Sequence, residues 1–369
     1  LTDSNAADGT LKAGAVTAIE PEATLTYPDT VETGTGENAK RVIFVDLDDP
    51  ETIWDYSQFM QLIQGTSWHN ELGDPPVHGL MWIDEAGDNL IWWNRETGAQ
   101  YLIFEASVET DLLTRDLNDL VFLDGILYVS TTYGYGVVSV DFLRDHGWHM
   151  NVGNAKRFYG GDVSERNDNK SWGGLVDATK SIVNATAQAI VAARDPDLID
   201  EFGRPKHWWI VGTAAGLSGY NPQDDAIYDS ANAETVLART MTISDTNLYF
   251  WRNYTGGGAQ DIPYWFPWTA IQADGWNPAG SAASVPYRYL YAGWPSFTGA
   301  KFHGFSNSAV GSAVAVLPGK SWASTGADQV WWASDYGIYI SHIYYPEGNA
   351  YGKGMDAYGG LVRLHEDYA

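Results

Sequence analysis

Short apolar segments alternate with polar turns along most of the chain from about residue 41 onward. Three pairs of these segments predict compact β-hairpins, namely 80–83 with 90–93, 120–123 with 126–129, and 241–243 with 248–251. Asp124-Gly125 connects the second pair and is the strongest hairpin signal in the chain, because both residues tolerate the positive φ of a type I′ turn. The segment 53–63 has helical spacing instead, which predicts a short helix.

One order of residues recurs: two apolar positions, a small residue, a hydroxyl, two variable positions, a glycine and an apolar residue. It occurs at 331–338, 210–217 and 128–135, and more loosely at 92–98 and 250–256. The glycines stand at 98, 134, 216, 256 and 337, so the intervals are near 40 or near twice that value. We interpret each copy as a buried strand, a glycine turn with positive φ, especially at Gly134, Gly216 and Gly337, and a return strand.

A mostly β chain with a period of about 40 residues is typical of propeller blades. The spacing then predicts seven blades, two of which have lost the signature near Trp172 and near Thr298-Gly299. The paired tryptophans Trp331 and Trp332 would lie on a blade strand that is packed on both faces. The alternative is a β-sandwich in which the glycine turns recur by chance.

Two copies share a further feature, because the Ala/Val-rich segments 184–193 and 308–317 align with each other and each precedes a long polar segment. We predict loops at 194–207 and at 318–329. Equivalent positions in a propeller emerge on one end of the ring, so these loops are expected to share a rim with turns at Asp84, Asp124 and Asp245.

An Ala/Val-rich strand, a variable loop and a strand ending in small-Thr/Ser-x-x-Gly-apolar together resemble the repeats of bacterial and phage β-propellers, including those of virion tail proteins. The resemblance covers residues 180–345 well and 80–140 loosely. It implies an all-β propeller domain over residues 41–369. Residues 1–40 are rich in Thr, Glu and Gly and are expected to form an arm or linker outside the propeller.

The charge of the chain excludes some partners. Asp and Glu number 47 against 21 Lys and Arg, which gives a net charge of −26. So acidic a surface repels nucleic acid. The chain has no cysteine and therefore no disulfide or cysteine-based site, and no apolar run is long enough to cross a bilayer. We expect an extracellular or virion protein without membrane insertion.

Four acidic residues lie close together in the segment 195–201 and are the main candidate metal ligands. Hard cations such as Ca²⁺ prefer several carboxylate oxygens, although the spacing is not that of an EF-hand. A solvated acidic loop is the alternative, and apart from Ca²⁺ no cofactor is expected. His146 and His149 are a second candidate pair, whose alternative is two histidines at strand ends. The candidate metal ligands of the cluster are Asp195, Asp197, Asp200 and Glu201.

The predicted rim is also the candidate binding site. Trp322 would offer an aromatic platform between hydroxyls, which suits a sugar or, with the acidic residues, a basic protein patch. The alternative is that the loops only cover a blade edge. The predicted ligand-binding residues are Trp322, Ser321, Ser324, Asp84, Asp88, Asp195, Asp197 and Asp200.

The aromatic segment 261–278 is expected to be buried or to form a subunit contact rather than to bind sugar. Its three prolines argue against a central strand. Together with the N-terminal arm it predicts a homo-oligomer or a larger assembly.

The leading hypothesis for function is a non-catalytic extracellular or virion propeller, a tail or surface protein that builds structure or recognises a glycan or a protein partner. A polysaccharide-active hydrolase or lyase on the same fold is the alternative, and an intracellular interaction scaffold is a third. Carboxylates are so numerous that no catalytic pair can be singled out. The sequence contains no G-x-S-x-G elbow and no P-loop.

Overall fold

The computed structural model describes residues 39–343 with several internal gaps. The residues left out within this range are 50–52, 85–88, 107–110, 115, 133–134, 152–154, 169, 178–181, 183–185, 214–215, 231–240, 245–246, 255–259, 268–270, 272–287, 290–310, 318–327 and 335–336. Among the described residues, no helix is long and apolar enough to cross a membrane.

The described strands form five antiparallel sheets, and in each sheet the strands follow one another in chain order. Sheet I contains β1 (Ala39–Asp46), β2 (His78–Asp84), β3 (Asn89–Asn94) and β4 (Ala99–Glu105). Sheet II contains β5 (Leu117–Leu123), β6 (Ile126–Thr131), β7 (Val137–Asp141), β8 (His146–Asn151), β9 (Ala155–Tyr159) and β10 (Trp172–Asp177). Sheet III contains β11 (Ala187–Ile199), β12 (Pro205–Thr213), β13 (Gly216–Asn221) and β14 (Ala226–Asp229). Sheet IV contains β15 (Met241–Ile243), β16 (Asn247–Tyr254), β17 (Gln260–Pro267) and β18 (Arg288–Tyr289). Sheet V contains β19 (Gly311–Leu317), β20 (Asp328–Ser334) and β21 (Gly337–Ile343).

Neighbouring sheets meet through their first strands. β1 lies against β5, β5 against β11, β11 against β15, and β15 against β19. Meanders that follow one another along the chain and pack in that order are the architecture of a β-propeller. The chain is therefore an all-β protein with a β-propeller fold, as the sequence predicts.

The sheets do not follow the predicted period of about 40 residues. Their first strands begin at residues 39, 117, 187, 241 and 311, so successive sheets begin 54 to 78 residues apart. The unit expected near Trp172 is the sixth strand of sheet II, and Thr298-Gly299 lies outside the described residues. The described residues thus form five sheets where the spacing predicted seven units.

The glycine signature nevertheless falls between consecutive strands. It stands between the second and third strands of sheets II to V, whereas Gly98 stands between the third and fourth strands of sheet I. Gly216 has the predicted positive φ of 141° and Gly337 begins β21, while Gly134 lies outside the described residues. Trp331 and Trp332 lie in β20, the second strand of sheet V.

The three predicted hairpins are confirmed as β2–β3, β5–β6 and β15–β16. At the β5–β6 turn, Asp124 and Gly125 have φ values of 46° and 75°. A Cβ at Gly125 would lie 2.4 Å from Leu143 Cδ1 and 3.1 Å from Phe59 Cε2, so glycine is required there for space as well as for conformation.

Two short helices fill the connection between β1 and β2. Helix α1 (Tyr56–Ile63) confirms the predicted helix, and Asp55 and Gln58 form a capping box at its start. Helix α2 (Ser67–Leu72) begins where the backbone N–H and the hydroxyl of Ser67 donate to the Asp145 carboxylate in the β7–β8 turn. The helices are therefore fixed against the end of sheet II.

Side chains, rather than a continuous backbone ladder, join the first strands. Asp119 on β5 is buried and pairs with Arg41 on β1 at 2.7 Å. Its second oxygen accepts a hydrogen bond from the backbone N–H of Ile190 on β11 at 3.0 Å. Asn118 Nδ2 donates to the carbonyl of Ala187 on the same strand at 2.8 Å. These contacts connect three sheets at one level.

The predicted long loop at 194–207 is mostly strand. β11 continues to Ile199 and β12 begins at Pro205, so the two form one extended hairpin. The register shifts between the pairs Arg194–His207 and Ile199–Pro205, which accommodates the acidic segment as a bulge. The actual turn is closed by a 2.8 Å hydrogen bond from the Asp200 N–H to the Arg204 carbonyl.

The first part of the segment 261–278 is also a strand, contrary to the argument from its prolines. β17 pairs with β16 along its whole length. In the described residues β18 pairs only with Tyr264 and Trp265, so Pro263 and Pro267 stand where no further strand pairs with β17. Residues 268–270 and 272–278 lie outside the described residues, and a subunit contact through this segment stays a prediction.

Candidate binding site

A cleft of about 350 Å³ opens where the end of β1, helix α1 and the β5–β6 turn meet. This volume is in the range of pockets that bind small ligands or single side chains of a partner. Three distant parts of the sequence form the cleft. Its lining consists of Phe44, Val45, Asp46, Leu47, Asp49, Trp54, Phe59, Phe122, Leu123, Asp124, Gly125 and Arg194.

The floor of the cleft is apolar. Leu47 and Phe59 are buried, and Trp54 packs against Phe59 with ring centroids 6.4 Å apart. Phe122 continues this surface into sheet II, where it packs against Phe142 at 6.1 Å. Phe44 lies at the opening and is 65% exposed, the largest exposure of any large hydrophobic residue in the described part of the chain. An exposed aromatic ring beside an apolar floor is typical of a site that takes up an apolar group.

One wall of the cleft is acidic. Asp46 ends β1, is exposed, and accepts a hydrogen bond from the Asp48 N–H at 3.0 Å. His78 Nδ1 lies 3.2 Å from Asp46 Oδ1. Asp49 follows three residues later on the same wall. Both carboxylates stand beside the apolar floor, in a chain whose net charge is −26. The electrostatic field of this wall therefore favours a cationic group.

The opposite wall carries an ion pair with its own support. Arg194 donates to both oxygens of Asp124 at 2.8 Å, in the bidentate geometry that fixes both groups. His207 Nε2 donates to Asp124 Oδ2 at 3.1 Å, and the hydroxyl of Tyr128 donates to His207 Nδ1 at 3.1 Å. Because the ionised carboxylate only accepts, it sets the tautomer of His207 and hence the direction of both bonds.

The ionisation states in this wall follow from burial and partners. Burial alone would raise the pKa of the Asp124 carboxyl, but the hydrogen bonds and charges of Arg194 and His207 outweigh it and lower the pKa. Burial lowers the pKa of His207 despite the neighbouring carboxylate. Asp124 is therefore a fixed anion and His207 a neutral ring. This arrangement holds Arg194 in place and is unsuited to proton transfer.

A second group of ion pairs supports the wall from behind. Arg204 is 2% exposed and donates to Asp141 at 2.7 Å, to Asp200 at 2.9 Å and to the carbonyl of Asp124 at 3.2 Å. Arg144 pairs with the same two carboxylates from the surface, at 2.6 and 3.2 Å. Burial would raise the pKa of Asp141, but the bonds and charges of Arg204 and Arg144 lower it. The tip of the β11–β12 hairpin is thereby locked onto sheet II.

This arrangement supports part of the predicted rim. The β11–β12 hairpin and the β5–β6 turn lie together, since Arg194, Arg204 and His207 all contact Asp124. The inclusion of Asp84 is wrong. Asp84 pairs with Ala39 at the start of β1, whereas the cleft lies at the end of β1, near Asp46. In sheet I the tight hairpin joins the second and third strands, whereas in sheet II it joins the first and second. Asp84 therefore lies at the opposite end of the strands from Asp124.

The remaining predicted ligand-binding residues cannot all be placed. Trp322, Ser321, Ser324 and Asp88 lie outside the described residues, so the aromatic platform stays a prediction. Asp245, a turn of the predicted rim, lies outside them as well. Asp84 accepts a hydrogen bond from Asn89 Nδ2 at 2.6 Å across its own turn.

Three of the four carboxylates between residues 195 and 201 have protein partners. Asp195 is buried and accepts from Trp208 Nε1 at 2.8 Å and from Gln223 Nε2 at 3.2 Å. Asp200 and Glu201 pair with arginines, and Asp197 is exposed. Across the described residues, no group of three or more His, Asp or Glu side chains is arranged to hold a metal ion. Of the predicted Ca²⁺ ligands, Asp195, Asp200 and Glu201 therefore have side-chain contacts that hold the hairpin, whereas Asp197 contributes its backbone N–H, which donates to Asp195 Oδ1 at 2.9 Å.

Sequence reasoning did not identify the cleft residues Phe44, Trp54, Phe122 and Arg194. Trp54 and Phe122 have the pattern of ordinary core positions in a helix and a strand. Only Phe44, an aromatic residue next to the acidic end of β1, carries a local signal, and it does not reveal which segments face it.

No protein-family model matches the sequence, and no curated protein matches it. The structure is similar to the β-propeller domain of Cps50 (Swd1) from Myceliophteria thermophila, with a TM-score of 0.34 and 13% identity over 77% of this chain and 82% of that one. It is similar to the Dos1 propeller, with a TM-score of 0.36 and 11% identity over 71% of this chain and 52% of that one. It is also similar to the extracellular domain of BT4673 from B. thetaiotaomicron, with a TM-score of 0.32 and 12% identity over 74% of this chain and 33% of that one. The fold assignment rests on strand order and sheet packing, and nothing about a ligand or partner follows from these likenesses.

Proposed function

We propose that this protein is a non-catalytic propeller that binds a partner protein, and that the cleft between β1, α1 and the β5–β6 turn accepts one apolar side chain of that partner together with a neighbouring cationic one. The observation that carries the proposal is the pairing of an apolar floor with an acidic wall, formed by Asp46 and Asp49, at one end of the first strands.

Charge favours a basic partner over a neutral sugar. Arg194 is already paired with Asp124, while the other wall carries the two carboxylates Asp46 and Asp49. A Lys or Arg placed there gains from both carboxylates and from the net charge of the whole chain, which also accelerates association. The apolar floor supplies the burial that gives the contact its affinity.

The cleft has the support that a binding site needs. Its walls stand on strands of three different sheets, and the bidentate Arg194–Asp124 pair fixes one wall before any partner arrives. A site held in advance loses less conformational entropy on binding. The extracellular or virion location is part of the same proposal and is supported by the resemblance to tail-protein repeats and by the acidic composition.

Fluorescence anisotropy with two labelled tetrapeptides tests the proposal. Both contain phenylalanine and leucine, flanked by lysines in one and by glutamates in the other. We expect the lysine peptide to bind saturably and the glutamate peptide not to bind. Phe44→Ser removes the exposed ring at the opening and is expected to weaken binding by about tenfold, which corresponds to about 1.4 kcal/mol.

Ile199→Ser is the matched control, because Ile199 is also a large exposed hydrophobic residue but does not line the cleft. Asp46→Asn should weaken binding of the lysine peptide and reduce its salt dependence. Equal binding of both peptides, or equal loss in the Phe44 and Ile199 variants, would contradict the proposal.

A further inference from the structure

Sheet II has two strands more than any other sheet in the described part of the chain. The added strands β9 and β10 place Arg157 and Trp172 beside His149 on β8. Arg157 lies directly opposite His149. Trp172 lies opposite Tyr159, two residues after Arg157. Since side chains alternate between the faces of a sheet, all four project from the same face.

The rings on this face form a tight group. The centroid of His149 is 4.2 Å from that of Trp172 and 4.4 Å from that of Tyr135. Tyr135 and Trp172 are themselves stacked at 5.9 Å. His149 is only 1% exposed, whereas Trp172 and Arg157 are half-buried, so the group reaches from the interior to the surface.

Three nitrogen atoms in this group are buried and have no hydrogen-bond partner among the described residues: Nδ1 of His149, Nε of Arg157 and Nε1 of Trp172. Two of them are N–H donors that no protonation change can remove. A buried donor without an acceptor is destabilising, because it has lost its hydrogen bonds to water without replacement. Three such atoms on adjacent side chains indicate that the face is built around an acceptor that the described part of the chain does not provide.

We propose that Arg157, His149 and Trp172 form a binding site for a small carboxylate. A carboxylate accepts several hydrogen bonds and donates none, which matches the unpaired guanidinium and indole N–H groups. It also carries one negative charge, which the single positive charge of Arg157 balances. A doubly charged phosphate would leave one negative charge at the site without a counter-charge, in a chain whose net charge is already −26. The site lies on other strands than the cleft and does not depend on the proposed function.

Acetate is the probe, and the indole N–H signal of Trp172 in ¹H–¹⁵N spectra is the reporter. Loss of one signal in Trp172→Phe assigns it. Titration with sodium acetate, at an ionic strength held constant with sodium chloride, should move this signal saturably. Arg157→Gln should weaken acetate binding by about tenfold or more, since a charge-assisted hydrogen bond is lost.

Lys156→Gln is the matched control. Lys156 adjoins Arg157 and carries the same charge, but it lies over the rings of Trp148 and Phe158 at 4.9 and 5.3 Å on the opposite face. Its substitution should leave the acetate response unchanged, and the dispersion of the remaining signals verifies that each variant is folded. The proposal is overturned if chloride moves the signal as acetate does, if phosphate binds more tightly than acetate, or if Arg157→Gln retains the response.

Discussion

Arg204 is the residue whose replacement tests the account of the hairpin most directly. Its guanidinium is buried against the carboxylates of Asp141 and Asp200, which are themselves 4% and 6% exposed. In Arg204→Met the methionine fills much of the space, but two buried carboxylates lose their main partner. Breaking one half of a buried ion pair costs about 3–5 kcal/mol. Arg144 still contacts both carboxylates, so we expect a loss near the lower limit, about 3 kcal/mol.

Urea unfolding monitored by tryptophan fluorescence measures this loss as a change in midpoint at constant slope. Arg144→Met provides the comparison, because Arg144 pairs with the same carboxylates but is 29% exposed. That variant should lose about 1 kcal/mol or less, as surface ion pairs do. Equal losses in the two variants, or a loss below about 1 kcal/mol in Arg204→Met, would refute the argument from burial.

The pH dependence gives the same prediction a second test. Arg204 and Arg144 lower the pKa of Asp141 in the folded protein, below the unfolded value of about 3.8. The stabilisation from this carboxylate is therefore complete above the unfolded pKa and is lost as the pH falls through the folded pKa. The difference between the wild type and Arg204→Met should be full at pH 7 and smaller near pH 3. A difference that grows on acidification would contradict this account.

Two further predictions concern stability alone. Burial and the charge of Arg157 lower the pKa of His149 to about 3, so protonation of the unfolded chain below the unfolded value of 6.5 destabilises the fold. At pH 4.5 this amounts to about 3 kcal/mol. Urea midpoints should therefore fall less steeply with acidification in His149→Phe than in the wild type, with His146→Phe on the same strand as the control, and parallel slopes would disprove this. Gly125→Ala, with positive φ and no space for a Cβ, should cost about 2–4 kcal/mol. Gly203→Ala has a similar φ of 79° but nothing within 4 Å, so it should cost about 1 kcal/mol, and equal melting temperatures of the two variants would contradict the steric argument.

Local features of the fold were readable from the sequence. The β5–β6 hairpin follows from Asp124-Gly125 between two apolar segments, and helix α1 follows from its spacing. These signals depend on residues that are neighbours in the chain, and so they do not require knowledge of the packing between sheets.

The division of the chain into sheets could not be predicted as well from the sequence. The glycine turn marks the second strand in four sheets but the third strand in sheet I, and sheet II has two added strands. Equal spacing of glycines therefore did not mean equal units. For the same reason Asp84 was assigned to the wrong end of the sheets.

The site shows the limit of local reasoning most clearly. The acidic residues around Asp200 are recognisable as a cluster, but their partner Arg144 stands 56 residues earlier in the chain. Without that contact, carboxylates that fold a hairpin have the same pattern as carboxylates that bind calcium. The cleft likewise requires residues 44–59, 122–125 and 194 together, and no pattern within one segment predicts that they meet.

The contacts of Asn118 and Asp119 have a consequence for aggregation. β11 is the first strand of its sheet, and among the described strands it pairs only with β12. Such an edge can add a strand from another chain. Here the carbonyl of Ala187 and the N–H of Ile190 are already occupied by the two β5 side chains. The same atoms that dock sheet III on sheet II thus prevent β11 from acting as a template for intermolecular pairing. An uncharged strand from another chain would replace β5 poorly, because it would lack the buried carboxylate of Asp119.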